Sequence, residues 1–232
     1  VNDESEQLVE CDWLRMSQHP ILSQQKYDIV LAEESINMLP FEIWDSFLDE
    51  VHERLADDGY LIIKVMCKPP KGYFDGVSFA AIINNWAKCQ DYSNDYGYLF
   101  VHLLTYLYHA KQTQGAHINW KEVIENVEME MEKGNLIWTE EQKAKFFDIF
   151  GNVKDGDFVF YCKTEQEMRD MLLRKKFYFA DVCYGHDDWN KYKFTPIYVL
   201  GKESWAIGGK ARKLSSGPEE LQTANRLDFK VK

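Results

Sequence analysis

The feature that most constrains the fold is a succession of three segments between residues 27 and 66. The first, YDIVLA at 27–32, and the third, YLIIKVM at 60–66, are short and almost wholly apolar. Such runs are typical of strands buried on both faces of a parallel sheet. The middle segment repeats apolar side chains at three- and four-residue steps, which predicts an amphipathic helix; they are Trp44, Phe47, Leu48, Val51 and Leu55. The order strand, helix, strand predicts a parallel pair joined by a helical crossover.

Two sequence signals set the expected limits of that helix. Pro40 is suited to its first turn, where a missing backbone N–H costs nothing. The sequence DDG at 57–59 is expected to end it, with Gly59 as the residue that caps the last turn. The second strand would then begin at Tyr60.

A long helical stretch is expected from residue 73 to residue 150. YLFVHLLTYLYHA at 98–110 is apolar nearly all round, which indicates a helix buried among other helices. Thr139 and Gln142 have the spacing of a capping box and predict the start of a further helix. Because this stretch lies between two sheet-forming regions, we expect a helical insertion that acts as a lid.

The sheet pattern returns after the insertion. DFVFYCK at 157–163 and FYFADVCYG at 177–185 are strand-like, and Thr164 with Glu167 forms a second capping box between them. FTPIYVLGK at 194–202 is the last expected strand, where Pro196 favours an edge position or a bulge.

The resulting domain expectation has four parts. Residues 1–72 and 151–203 would form the two halves of an α/β domain, and 73–150 the insertion between them. Residues 204–232 are polar and contain glycine and serine, so they are expected to form a flexible tail.

Composition excludes several classes of function. The formal net charge is −11, and an acidic surface repels phosphate backbones, so a broad nucleic-acid interface is not expected. No segment has the roughly 20 apolar residues of a membrane span, and the polar start VNDESEQLVE is unlike a signal peptide. The five scattered cysteines favour reduced thiols and a cytoplasmic protein; they are Cys11, Cys67, Cys89, Cys162 and Cys183.

The candidate site lies where the first predicted strand ends. Glu33 and Glu34 directly follow YDIVLA, and Asn37 follows them closely. In open α/β sheets, ligands bind outside the carboxyl ends of the strands. Two carboxylates there suit the cationic or hydroxyl groups of a cofactor. The alternative is that they form the solvated start of a helix, where the helix dipole favours negative charge.

Several segments, in this order, resemble a class I S-adenosyl-L-methionine-dependent methyltransferase. They are CDWLRM, YDIVLAEESINML, LADDGYLIIKV, KTEQEMRDMLLRKKFYFADVCYG and FTPIYVLGK, within residues 12–66 and 157–202. The sequence departs from the family pattern in two of them. LADDGY replaces a common double-glycine form, and Lys176 stands where glycine is usual. The resemblance implies a partial Rossmann-like methyltransferase sheet of parallel strands with an antiparallel last strand.

The resemblance also implies roles for individual residues. Asp12 would be the acid near the adenine, with Trp13 or Leu14 flanking the ring, while Glu33 and Glu34 would line the pocket of S-adenosyl-L-methionine. Asn37 would lie on the substrate side. Because an already nucleophilic acceptor needs only positioning, no catalytic residue and no metal are assigned.

The expected acceptor is a small molecule. The insertion is rich in tyrosine, and Tyr96 and Tyr98 are candidates for an aromatic pocket that binds the acceptor. The alternative for these side chains is core packing. The sequence leaves the acceptor atom and the oligomeric state open.

One departure from the family is large. No glycine precedes Gly59, and only eleven residues precede Asp12, which is too few for two βα units. The glycine-rich cofactor loop and the acid that binds the ribose therefore have no counterpart upstream of Asp12. The leading expectation is therefore an N-terminally truncated fragment of a methyltransferase. The second is a non-catalytic α/β interaction module that keeps the sheet without the cofactor loop. A third, another doubly wound nucleotide-binding fold, is disfavoured by the antiparallel last strand.

Overall fold

A mixed sheet of four strands organises the fold. The computed structural model of the chain describes residues 9–89, 93–111, 117–184 and 194–202. The strand order is β1-β2-β6-β5. These strands are β1 (Tyr27–Glu33), β2 (Leu55–Lys64), β5 (Phe177–Cys183) and β6 (Ile197–Lys202).

The sheet combines parallel and antiparallel pairing. β1 and β2 run parallel, with Ala32 opposite Ile63. β6 runs antiparallel to both of its neighbours, β2 and β5. This confirms the expected fold class, an α/β sheet of parallel strands with an antiparallel C-terminal strand. The edge position expected from Pro196 is wrong, because β6 lies between two strands and begins just after the proline.

Two helices cover one face of this sheet. The helices of the chain are α1 (Phe41–Arg54), α2 (Phe79–Lys88), α3 (Tyr96–Lys111), α4 (Trp120–Glu132), α5 (Glu140–Phe150) and α6 (Glu165–Arg174). The apolar stripe of α1 and the methionines of α6 share one core with β2 and β6. Lys175 at the end of α6 reaches across to Asp49 of α1, with 2.8 Å between Nζ and Oδ2.

The first strand is not buried on both faces, which corrects the expectation from its apolar run. Ala32 faces the core and Val30 packs against it, but Ile29 is 58% exposed and Leu31 is 73% exposed. Because α1 covers only one face, alternate side chains of β1 remain in solvent. Among the described residues, no strand pairs with the second edge of β1.

The region between the two halves of the sheet is helical, as expected. Helices α2 to α5 surround a second apolar core, which includes Ile83, Leu103, Val123 and Phe146. A short antiparallel pair, β3 (His117–Asn119) and β4 (Val159–Tyr161), closes this region.

The β3–β4 pair shows where the strand-like segment DFVFYCK lies. It forms β4 as a strand, but β4 pairs with β3 and not with the main sheet. Phe160 is buried in the helical core, and its carbonyl oxygen accepts a hydrogen bond from the hydroxyl of Tyr108.

The end of α1 differs from the expectation. The helix ends at Arg54, and the sequence LADDGY already belongs to β2. Gly59 is therefore not a helix cap. The register jumps from Tyr27 opposite Leu55 to Ile29 opposite Tyr60, so the residues between bulge out of the pairing.

Capping boxes and one unusual backbone angle set the ends of α5 and α6. The boxes at Thr139 and Thr164 both form as predicted. Lys176, where the resemblance in sequence implies a glycine, has a φ of 60°, in the left-handed region that favours glycine. The backbone at this position would therefore suit glycine better than lysine.

Some expectations concern other parts of the chain. Residues 1–8 and the expected tail from 204 onwards lie outside the described residues. In the described parts, no helix is both long enough and apolar enough to cross a membrane.

Candidate functional site

The candidate site is built at the carboxyl ends of β1 and β2. Glu33 is the last residue of β1, and Glu34 follows with a φ of 51°, which is left-handed backbone. The Glu34 N–H donates to the carbonyl oxygen of Lys64 at 2.8 Å. A left-handed conformation at a residue other than glycine costs about 1–2 kcal/mol, and such positions cluster at functional sites.

Lys64 joins the two carboxylates. Its Nζ lies 3.0 Å from Glu33 Oε1 and 3.1 Å from Glu34 Oε1. The Glu34 side chain is 26% exposed and that of Glu33 is 79% exposed, so Glu34 holds the more enclosed position. Burial lowers the pKa of Lys64, but hydrogen bonds and charge from both glutamates outweigh burial and raise it above its usual value. Lys64 is therefore a fixed cation that holds both carboxylates at the strand ends.

Asn37 connects the ends of three strands from a fully buried position. Its Nδ2 donates to the carbonyl oxygens of Met66 at 2.9 Å and Tyr161 at 2.8 Å. Its Oδ1 accepts from the Met66 N–H at 2.8 Å. Both the nitrogen and the oxygen of the Asn37 amide are thus engaged by backbone groups, so Asn37 has a structural role. Its contact with a substrate stays a prediction.

The start of α6 lies beside the same end of the sheet. The Lys68 N–H donates to the carbonyl oxygen of Lys163 at 2.7 Å. The ammonium of Lys163 lies over the ring of Phe41, 4.6 Å from its centre. The chain segments that follow β2 and β4 are thus joined by a backbone hydrogen bond, and the Lys163 side chain packs on α1.

Asp12, Trp13 and Leu14 lie on a different element. They begin a 3-10 turn, Trp13–Gln18, that packs on α1. Asp12 Oδ1 accepts from the Leu14 N–H at 3.0 Å, and Trp13 lies against Phe47 with 6.0 Å between ring centres. Asp12 thus caps its own turn, and its expected contact with adenine stays a prediction.

Tyr96 and Tyr98 lie in the helical region. The Tyr96 ring is buried and meets Trp86 edge-on, with 5.0 Å between centres. Tyr98 is half-buried, and its ring lies 4.2 Å from that of His102. The packing alternative accounts for Tyr96, and the role of either residue in binding an acceptor stays a prediction.

Sequence reasoning did not identify Lys64. Its signal was present, since Lys64 is the single charged residue of the apolar run YLIIKVM. A charge within a buried strand needs a partner, and the neighbouring strand ends in Glu33 and Glu34. That pairing could have been inferred once the two strands were taken as parallel neighbours.

The side chains at the strand ends fit S-adenosyl-L-methionine in part. Two carboxylates suit its cationic and hydroxyl groups, but both already pair with Lys64. The fit of these residues to such a cofactor therefore stays a prediction. Among these residues, no group of three or more histidine, cysteine or acidic side chains could hold a metal ion.

Comparisons with known proteins add little to this geometry. No known protein family and no curated protein matches the chain. Solved structures with some similarity include a protein described as a zinc-dependent alcohol dehydrogenase from Rhodobacter sphaeroides, with TM-score 0.37 and 11% identity over 76% of this chain. Another is PKMT2 from Rickettsia typhi, with TM-score 0.34 and 7% identity over 78% of this chain. The chain spans 58% and 37% of the lengths of these proteins, and similarity at this level supports no conclusion about function.

Proposed function

We propose that the chain takes part in methyl transfer from S-adenosyl-L-methionine to a small-molecule acceptor, as part of a class I methyltransferase domain. The observation that carries the proposal is the sheet order. The resemblance in sequence implied parallel strands followed by an antiparallel last strand, and β6 lies antiparallel between β2 and β5.

The chemistry of the strand ends agrees with this function. When bound, the cofactor supplies an electrophilic methyl group next to a positive sulfur. Glu33 and Glu34 place negative charge where ligands of such sheets bind. Lys64 fixes their orientation. The contribution of this chain is then to position the cofactor and the acceptor. Positioning alone accounts for much of the rate when a methyl group is transferred to a reactive acceptor.

The charge of the chain favours a small acceptor. With a formal net charge of −11, the protein repels nucleic acids. A small neutral or cationic molecule meets no such barrier. Once cofactor binding is established, binding experiments with candidate small molecules can identify the acceptor.

The decisive experiment is calorimetric titration of S-adenosyl-L-homocysteine into the chain and two variants. Glu34→Gln removes the more enclosed carboxylate, and its affinity is expected to fall about tenfold, which is 1.4 kcal/mol. Glu42→Gln is the matched control, because Glu42 is exposed on α1. Equal binding by all three proteins would contradict the proposal, and no binding by the unmodified chain would favour the second function given below.

A second function, a non-catalytic interaction module, has one observation in its favour. The polar side chains at the strand ends already satisfy each other, since Lys64 engages both glutamates and the Asn37 amide is used by backbone groups. A module needs no free ligand groups at that end. It predicts no heat of binding with S-adenosyl-L-homocysteine under any condition in which the chain is folded.

A further inference from the structure

We propose that two copies of the chain form a dimer through the open edge of β1. The two β1 strands would pair antiparallel around a two-fold axis at Val30, which joins the two main sheets into one continuous sheet. The pairing does not depend on the proposed methyl transfer. Four features of β1 favour it: the exposed edge, the direction of its backbone groups, the match of side chains across the axis and an adjoining groove.

The edge of β1 is apolar and has no strand partner among the residues that the structure describes. Ile29 is 58% exposed and Leu31 is 73% exposed on the face of the sheet that α1 leaves open. Edge strands that stay single usually carry a proline, a charge or a bulge that blocks pairing. None of these falls within 29–32, which reads IVLA. This edge is therefore suited to pairing with another strand.

The backbone groups of β1 point alternately to β2 and to the open edge. The Glu34 N–H donates to the Lys64 carbonyl oxygen in β2, so the N–H and C=O groups of Ile29, Leu31 and Glu33 point to the open edge. In an antiparallel pair, opposite residues exchange two hydrogen bonds when the backbone groups of both point to the partner strand. Odd-numbered residues of β1 must therefore pair with odd-numbered residues, which excludes a shift by one residue.

One register matches the side chains across the axis. With Val30 opposite Val30 of the second copy, Ile29 lies opposite Leu31 on both sides of the axis. Opposite residues share a face of the sheet, so the exposed apolar side chains of the two copies shield one another from water. Lys26 lies opposite Glu34 of the second copy in the same register. Opposite charges across a strand pair stabilise it.

Other registers lose these matches. A shift of two residues in one direction places Asp28 opposite Glu34, and like charges directly opposite each other destabilise a strand pair. A shift of two residues in the other direction places Lys26 opposite Ala32, so the lysine loses its acidic partner. The sequence of β1 therefore favours an axis at Val30, because a two-fold interface must be complementary to itself.

An apolar groove adjoins the edge on the side of α1. It has a volume of about 210 Å³ and is lined by Met16, Val30 and Val51, among others. Val30 of the second copy lies on the same face of the sheet and next to this groove, so it covers part of the apolar lining. Pairing therefore removes apolar surface from water on both faces of β1.

The dimer is expected to dissociate on dilution. One pair of seven-residue strands is a small interface compared with the roughly 800 Å² per partner of a standard one. Each copy also carries a net charge of −11, so two copies repel each other at a distance. Salt at about 0.15 M screens exposed charges that are more than about 8 Å apart, and the tests below use this salt concentration.

Two double variants of the full chain test the register by sedimentation velocity. The unmodified protein should pass from 27.4 kDa towards twice that mass as its concentration rises from about 1 μM to about 1 mM. Ile29→Lys with Leu31→Lys places lysine opposite lysine in both pairs and should weaken the dimer about tenfold or more. Ile29→Lys with Leu31→Glu places lysine opposite glutamate and should retain it. Both side chains are exposed in the single copy, so both variants should fold.

A cysteine at the axis gives an independent test. Residues opposite each other in a pair without hydrogen bonds have Cα atoms about 4.5 Å apart, which is within the range of a disulfide. Oxidation of Val30→Cys with diamide should therefore link two copies through residue 30, above the background of the five native cysteines. Asp28→Cys is the matched control, because its two copies would lie about 14 Å apart along the strands. Mass spectrometry of the linked peptides identifies the position.

Three results would overturn the proposal. The first is an unmodified protein that stays a monomer up to about 1 mM. The second is a dimer that both double variants weaken equally, which would indicate association through apolar surface without this register. The third is a disulfide that forms as readily through residue 28 as through residue 30.

Discussion

The side chain of Asn37 pairs with the backbone of Met66 as a neighbouring strand would. Its Nδ2 donates to the Met66 carbonyl oxygen at 2.9 Å, and its Oδ1 accepts from the Met66 N–H at 2.8 Å. Both residues are buried. β2 ends at Lys64, so Asn37 satisfies backbone groups just beyond the end of the sheet, where polar groups would otherwise be buried without partners.

Replacing Asn37 by alanine is expected to lower the free energy of unfolding by about 3 kcal/mol or more. The change leaves the carbonyl oxygens of Met66 and Tyr161 and the Met66 N–H without this partner, and each buried unpaired group costs about 1–3 kcal/mol. Urea denaturation measures the loss.

Asn84→Ala is the matched control for this prediction. Asn84 makes the same two kinds of bond, to the Asn135 carbonyl oxygen and from the Ile137 N–H, in a more exposed place. Its loss should cost about 1 kcal/mol or less, because water replaces the partners. Equal losses for the two variants would contradict the structural role of Asn37.

The sequence predicted the parts of the fold that depend on local pattern. The apolar steps of α1 and the capping boxes at Thr139 and Thr164 are properties of neighbouring residues, and the structure confirms them. The antiparallel last strand was implied by the resemblance. The exposure of Leu31 could not be predicted, because an apolar run has the same appearance whether or not a second layer covers it.

The candidate site was predicted in position more than in chemistry. Glu33 and Glu34 lie at the carboxyl end of β1 as expected. Their partner Lys64 comes from another strand, about 30 residues further along the chain, and such a pairing depends on the sheet register. One of the hydrogen bonds of the Asn37 amide likewise goes to Tyr161 in β4, which is distant in sequence.

Gly59→Ala is expected to destabilise the protein by about 1–3 kcal/mol, because it adds an atom where two backbones approach closely. A Cβ at this position would lie 2.8 Å from the Tyr27 carbonyl oxygen and 3.0 Å from that of Asp28. Both strands would have to move apart at the bulge. Thermal unfolding followed by circular dichroism measures the change.

Gly97→Ala is the control for the Gly59 variant. Gly97 lies in α3, and the nearest atom to an added Cβ is Asp95 Oδ1, at an ordinary 3.7 Å. Alanine favours a helix over glycine by up to about 1 kcal/mol, so this variant should be neutral or more stable. A neutral Gly59→Ala variant would show that β1 and β2 are less closely apposed than described.

Lys176→Gly is expected to stabilise the protein by about 0.5–1 kcal/mol, since the left-handed backbone costs lysine energy that it does not cost glycine. Lys176 is exposed and has a φ of 60°, so no buried contact is lost. Arg174→Gly is the matched control. Arg174 is also exposed but ends α6 in helical conformation, and it should lose about 1 kcal/mol. Urea midpoints that shift in the same direction for both variants would contradict this account.

His102 is expected to make the protein less stable as pH falls. Its ring lies in α3 against Tyr98, and no described residue pairs with its buried Nδ1. Burial lowers the pKa of His102 to about 4, from an ordinary value of 6.5. The unfolded chain therefore binds the proton more tightly, and stability is lost as pH falls from about 6.5 towards 4, by on the order of 2–3 kcal/mol.

Comparing the unmodified protein with a variant that has no titrating side chain at position 102 isolates the contribution of His102 to the pH dependence of stability. His102→Gln keeps a polar side chain of similar length, and its urea midpoint should fall less between pH 7 and pH 4.5 than that of the unmodified protein. Between pH 7 and pH 8 the two midpoints should change in parallel, because His102 is already neutral there. Equal slopes over the acidic range would mean that His102 takes up its proton as readily in the folded protein as in the unfolded chain.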